Sequence, residues 1–257
     1  MISVQNLDFD YTADSKLFTG FNWHVLEGEA WTIVGPSGCG KTTLLYLLAG
    51  LLHPVQGRIH IHGEALLRPR PRTGLILQDY GLLPWATVRQ NVALGLRIRS
   101  FYGPDGLHAP PETETKQPEE DVEYWLERLK LLPVAENYPT QISGGQRQRT
   151  AIARTLVLDP DLLLMDEPFA SLDAPTREAL QDLILELHLE KKITVIAVTH
   201  TIDEAALLGD HILILGHTPN ERGQTIENPG GAQIGFRGTE AYGKVCSLLR
   251  NIMEAQG

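Results

Sequence analysis

Cysteine is scarce in this chain. There are two in 257 residues, Cys39 and Cys246, far apart in sequence. That excludes a disulfide framework and any cysteine-rich metal site, and it suits a reducing compartment. Long apolar runs are missing too. The longest, about Leu44–Leu52, is interrupted by Gly50 and is too short to cross a bilayer. Met1–Gln5 has neither a basic stretch nor a hydrophobic core, so no signal peptide is expected. Basic residues number 22 against 32 acidic ones, a net charge of −10, so nucleic acid is not an expected partner. What remains, with 42% apolar and 21% charged residues, is the composition of a soluble globular chain of one or two domains. Work at a membrane would have to go through a protein partner.

The stretch that organises the chain is Gly35-Pro36-Ser37-Gly38-Cys39-Gly40-Lys41-Thr42-Thr43. It follows a β-like run, Ala30–Val34, and opens a helix-like run, Thr42–Leu52. Strand, glycine loop and helix with the spacing G-x-x-x-x-G-K-[ST] read as a phosphate-binding loop. Its glycines let successive N–H groups turn inward around an anion, and the helix start adds donors and the positive dipole end. Lys41 is expected to supply a cation for the β- and γ-phosphates of a nucleotide, and Thr42 a hydroxyl for Mg²⁺.

Downstream, Leu162–Met165 is a fully apolar run that ends in Asp166 and Glu167. It reads as a buried parallel strand whose carboxyl end faces a ligand. Asp166 is expected to hold Mg²⁺ opposite Thr42, and Glu167 to orient an attacking water. A solvated strand end before the Pro168 turn is the bland alternative. Gly74–Gln78 and Ile193–Thr199 read as further strands ending at Gln78 and His200, and Ser143-Gly144-Gly145-Gln146 opens a helix to about Leu158. Phe101–Asp121, rich in proline, glycine and acids, reads as a mobile loop. His60 and His62 share a strand face without a third ligand nearby, and Arg68, Arg70 and Arg72 read as an exposed loop. Beyond Gly216 the chain is glycine-rich up to an amphipathic helix over Thr239–Glu254.

From about Ile2 to Leu215 the sequence resembles an ABC-type ATPase subunit, with the motifs in the family's order. Tyr11 resembles the aromatic that stacks on adenine, and Gln78 the Q-loop glutamine. Ile142-Ser143-Gly144-Gly145-Gln146 resembles the signature motif with Ile142 in place of leucine. Ser171-Leu172-Asp173 resembles the D-loop and His200 the switch histidine, with Thr201 where aspartate is common. Gln78–Val88 and Asp166–Asp173 are similar to importers of nitrate, sulfonate, taurine and related solutes.

The resemblance implies an α/β P-loop NTPase core at about 1–79 and 156–225. It implies an N-terminal antiparallel β piece, a helical subdomain inserted at about 80–155, and a tail at 226–257. It implies ATP and Mg²⁺, with Gln78 also at the metal, and catalysis by Glu167, His200 and Gln78. Ser143, Gly144, Gly145, Gln146 and Asp173 would complete the nucleotide site of a second copy in a head-to-tail dimer. Partners would be transmembrane permease subunits and, through them, a solute-binding protein, at the cytoplasmic face of the membrane. Leu82-Leu83-Pro84-Trp85 would line a groove for the permease or else pack in the helical subdomain. A soluble non-transport ABC ATPase and a regulatory nucleotide-binding module are the rival readings.

Overall fold

The structure, a computed structural model, describes residues 1–12, 15–102, 118–170 and 172–256. Ser171 of the expected D-loop and residues 103–117 of the expected loop lie outside them.

Two sheets carry the chain. The first is antiparallel and four-stranded, in the order β2-β1-β4-β5. Its strands are β1 (Ile2–Asp10), β2 (Lys16–Val25), β4 (Gln56–Ile61) and β5 (Glu64–Ala65). The second has six strands in the order β10-β9-β3-β8-β7-β6. These are β3 (Ala30–Val34), β6 (Thr73–Ile76), β7 (Leu162–Asp166), β8 (Thr194–Val198), β9 (His211–Ile214) and β10 (Gln224–Glu227). Neighbours from β9 to β6 run parallel, and β10 closes one edge antiparallel to β9.

The strand sequences explain why the second sheet is central. β3, β7 and β8 are buried at every position. A strand covered on both faces has no use for polar alternation. Successive residues instead divide between two cores. Trp31, Ile33, Leu162, Leu164, Ile196 and Val198 face one with helix α1 (Lys41–Leu48) and the antiparallel sheet. Ala30, Leu163, Met165, Val195 and Ala197 face the other. There they meet α2 (Val88–Tyr102), α3 (Pro118–Arg128), α4 (Gly144–Leu156) and α5 (Ala174–Lys191). A third cluster joins α6 (Ile202–Leu208) and α7 (Glu240–Gln256) to β9 through Ala205, Ala206, Ile212, Cys246 and Leu249.

Several limits differ from the sequence reading. The expected loop at 101–121 is helical at both ends: α2 runs on through Phe101 and Tyr102, and α3 begins at Pro118. Proline in the first turn followed by Glu119, Glu120 and Asp121 is a helix start, because the ring presets φ and the acids face the positive dipole end. The tail contains β10, which satisfies the open edge of β9. His62 lies past the end of β4 with φ 53° and meets Asp161 at 3.5 Å, so it does not share a strand face with His60. Arg70 is no free loop cation either. It grips Asp161 with two bonds of 3.0 Å just before β7.

Candidate active site

The carboxyl ends of β3, β7 and β8 bring the expected chemistry together. β3 delivers the loop 35–40. Gly35, Gly38 and Gly40 have φ of 155°, 78° and 101°. At Gly35 a side chain has no room, and at Gly40 it would press on its neighbour. A Cβ on Gly35 would lie 2.5 Å from the Leu215 carbonyl oxygen, and one on Gly40 would lie 3.0 Å from the Phe18 ring. The loop is thus moulded from behind by the core, while Ser37 and Gly38 face solvent. Lys41 opens α1, and its Nζ donates to the carbonyls of Gly35 at 2.8 Å and Pro36 at 2.9 Å, which holds the ammonium over the loop.

β7 ends in Asp166, which is buried, and the Thr42 hydroxyl donates to its Oδ1 at 3.0 Å. Burial pushes the Asp166 carboxyl above its ordinary range, and nearby Glu167 adds to that; the Thr42 hydrogen bond and Lys41 pull the other way. Thr42, Tyr46, Leu77, Gln78, Asp79, Asp166 and Ala170 line an open cleft of about 730 Å³. Tyr46 and Asp79 were not singled out from the sequence, since neither belongs to a spaced motif.

Glu167 follows Asp166 in a left-handed conformation, φ 45°, pinned by its N–H to the Val198 carbonyl at 2.9 Å. That backbone is uncommon outside glycine and fixes the direction in which the Glu167 carboxylate leaves the strand. Two side chains converge on its Oε2: His200 Nδ1 at 3.2 Å and Gln78 Nε2 at 3.3 Å. His200 is exposed at the end of β8, and Gln78 two residues past the end of β6. The neighbouring Thr199 hydroxyl donates to buried Glu204 at 2.6 Å. That carboxylate, in the run Thr201-Ile202-Asp203-Glu204, carried no signal in the sequence.

Of the remaining expected residues, Tyr11 adjoins the loop and the others lie at helix starts. Tyr11 is 60% exposed; its hydroxyl meets Thr43 Oγ1 at 3.1 Å, and its ring packs edge-on against Phe9. Ser143 caps α4 reciprocally with Gln146: its Oγ accepts from Gln146 N at 3.3 Å, and Gln146 Oε1 accepts from Ser143 N at 2.9 Å. Gly145 sits against Thr176 and Gly144 near the Tyr80 hydroxyl. Asp173 caps α5 through Thr176 N at 3.1 Å. Residues 143–146 and Asp173 therefore share the α4–α5 corner, joined at Thr176.

The profile of the family described as "ABC transporter" matches residues 18–170, more than half of the chain. This chain belongs to the ABC transporter family. The matched span takes in residues 35–43, Gln78, residues 143–146, Asp166 and Glu167. Similar curated ABC proteins extend further along the chain. The aliphatic sulfonates import ATP-binding protein SsuB of Bacillus thuringiensis subsp. konkukian is 41% identical over 217 residues, 84% of this chain and 80% of that protein. The taurine import ATP-binding protein TauB of Pelagibacter ubique is 41% identical over 198 residues, 77% of this chain and 70% of that protein. Among solved ABC structures, the ATP-binding cassette MJ0796, described as dimeric in a post-hydrolysis state bound to ADP and Pi, superposes with a TM-score of 0.74 at 29% identity. The match covers 87% of this chain and 98% of that one. CbiO1 from Clostridium perfringens, part of the ABC transporter complex cbiONQ, gives 0.75 at 27% identity over 99% of this chain and 97% of that one. The chain is an ABC ATPase cassette with the P-loop NTPase fold.

Proposed function

We propose that this cassette hydrolyses ATP to drive import of a small sulfonate-class solute through separate permease subunits, working as a head-to-tail pair of copies. The observation that carries the hydrolytic part is the left-handed Glu167 with His200 and Gln78 on one oxygen, beside the Thr42–Asp166 pair. A module that only bound nucleotide would have no use for a carboxylate held this way. The solute class rests on relatives named for import of aliphatic sulfonates and taurine.

In this reading Tyr11 stacks on adenine, and residues 35–43 wrap the phosphates with backbone N–H groups. Lys41 leaves the Gly35 and Pro36 carbonyls for the β- and γ-phosphates, a charge-assisted contact for a neutral one. The Thr42 hydroxyl, the Asp166 carboxylate and Gln78 Oε1 form an all-oxygen set that suits Mg²⁺, which is held by few protein ligands together with phosphates. Among the described residues no cluster of three or more histidine, cysteine or acidic side chains competes as a metal site. Held by Thr42, Asp166 and Gln78, Mg²⁺ would supply positive charge to the phosphates. Glu167 accepts a hydrogen bond from the attacking water. The water's oxygen bonds to the γ-phosphorus as the bond to the β–γ bridging oxygen breaks; its proton passes to Glu167 and from there to the phosphate, and ADP and phosphate leave. His200, fixed by Glu167 through Nδ1, turns Nε2 toward the γ-phosphate. Ser143, Gly144, Gly145 and Gln146 of the second copy close the site with a capped helix N-terminus, and Asp173 lies at the same junction.

No helix among the described residues is long and apolar enough to cross a membrane. The permease would supply the channel and receive solute from a binding protein. Trp85, 73% exposed beside exposed Pro84, is the proposed contact for it, at the cytoplasmic face.

Two substitutions test the chemistry. Lys41→Ala is expected to weaken ATP binding by about 2–3 kcal/mol and abolish turnover. Glu167→Gln is expected to keep Mg-ATP affinity and lose on the order of 10²–10⁴ in kcat. Isothermal titration and phosphate release read both. Wild-type turnover in either folded variant would sink the assignment. Uptake of labelled taurine against nitrate by the chain co-expressed with its permease tests the solute class.

A further inference from the structure

The segment after β9 matched nothing singled out in the sequence, yet it reaches the back of the phosphate loop. Asn220 there is 2% exposed, and every polar group it owns is engaged. Its backbone bridges β2 in parallel register: Asn220 N donates to Leu17 O at 2.8 Å, and Thr19 N donates to Asn220 O at 3.1 Å. Its side chain ties its own segment to the loop, with a longer contact from Nδ2 to Leu17 O at 3.5 Å. Gly216 N donates to Oδ1 at 2.9 Å, and Nδ2 donates to the Cys39 carbonyl at 2.8 Å. One side is a donor and the other an acceptor, so only one orientation of the amide satisfies both.

The last contact matters for the site. The Cys39–Gly40 peptide is planar and trans, so its N–H points opposite its C=O. A carbonyl pulled inward toward Asn220 turns the Gly40 N–H outward, to the side where the loop faces its anion. Without the amide, the buried Cys39 carbonyl loses its partner and the peptide plane is free to rotate. Gly40 has no side chain to resist that, and φ 101° is open to it. Cys39 N reaches Pro36 O at only 3.4 Å, a weak restraint from the other side.

We infer that Asn220 is a positioning residue for ATP: it orients the Cys39–Gly40 peptide so that the Gly40 N–H is aimed at phosphate before nucleotide arrives. This rests on the proposed ATP site and adds to it a residue from the far end of the chain, outside the matched span 18–170.

The test compares wild type with Asn220→Ala, Asn220→Asp and Gly216→Pro. It measures ATP affinity by titration well below the melting temperature, and KM and kcat by phosphate release. Asn220→Ala is expected to bind ATP about tenfold more weakly, the equivalent of one hydrogen bond. Asn220→Asp is isosteric but sets a carboxylate oxygen against the Cys39 carbonyl, and is expected to lose more. In both, KM rises while kcat at saturating ATP stays within about twofold, because Glu167, Gln78 and His200 are untouched. A merely structural staple would lower the melting temperature and the active fraction and leave Kd and KM alone. Wild-type ATP affinity in either folded Asn220 variant overturns the inference. If neither folds, Gly216→Pro decides. It removes the N–H that steadies Oδ1 and sets the ring Cδ against that oxygen, which displaces the amide from the Cys39 carbonyl, while the added Cβ itself would meet no atom within 4 Å. A raised KM there supports the role, and a wild-type KM overturns it. Failure of the wild-type chain to bind ATP would instead bring down the reading of the site.

Discussion

Asp166 meets opposing demands. The proposed Mg²⁺ site needs its carboxylate charged, while the fold buries it at the end of a strand and beside Glu167. Its carboxyl is raised above its unfolded value, so the folded protein holds a proton over a pH range where the unfolded chain has released it. Stability therefore falls as pH rises through that range. Asp166→Asn keeps an acceptor for the Thr42 hydroxyl and removes the buried charge. The variant is expected to melt higher than wild type at neutral pH without nucleotide, with a flatter pH dependence, and to hydrolyse no ATP. A lower melting temperature by calorimetry would show that the Asp166 charge is already compensated in the fold. The sequence made this residue legible because an acid after four apolar positions is conspicuous. Glu204 and Asn220 were not legible: Asn220 acts on Cys39, 181 residues away in sequence, and neither the burial of Glu204 nor a carbonyl's direction is written in local spacing.

Helix α4 shows the same division at the scale of an element. Its start was legible: Ser143 with Gln146 three residues on is a capping box, and the structure closes both hydrogen bonds. What its far end does was not. Arg154 reaches back to the segment after Gln78, donating to the carbonyls of Tyr80 at 2.8 Å and Gly81 at 2.6 Å. Tyr80 and Gly81 both have positive φ, 66° and 56°, so this segment needs an external tie to hold its shape. Burial pulls the Arg154 guanidinium below its ordinary range, although charge-assisted bonds fix it. Arg154→Met keeps much of the stem and loses both bonds. It is expected to cost about 2 kcal/mol in urea unfolding and to lower kcat more than ATP affinity, because Gln78 would be less well fixed against Glu167. Unchanged stability and kcat would show that the turn holds itself. Helix limits at 102 and 118 and the strand β10 were missed because proline and acids mark helix starts as well as loops, and because edge pairing depends on a neighbour.

For the whole molecule, the proposed division of the site between two copies has the widest reach. Each chain would supply its Lys41 cluster to one site and its α4 N-terminus to the other. Ser143→Arg puts a bulky cation on the exposed helix start and leaves the chain's own phosphate loop alone. ATP is expected to bind the monomer within about twofold of wild type, while ATP-driven dimerisation and turnover fail. Wild-type specific activity is expected to rise with protein concentration, as for a weak active dimer. Light-scattering mass and titration check both, and loss of monomer ATP affinity in Ser143→Arg would place the signature within its own chain's site. The central sheet also seals the two cysteines into separate compartments: Cys39 in the core around α1, Cys246 in the cluster of α6 and α7. Burial pushes both thiols up, so neither reacts while its compartment is closed. The protein therefore carries two internal clocks for local opening, readable with a thiol dye and a mass spectrometer. If exposing Cys39 dismantles the phosphate loop, ATP at 100 times its Kd slows that clock roughly hundredfold, while the Cys246 clock keeps its own time.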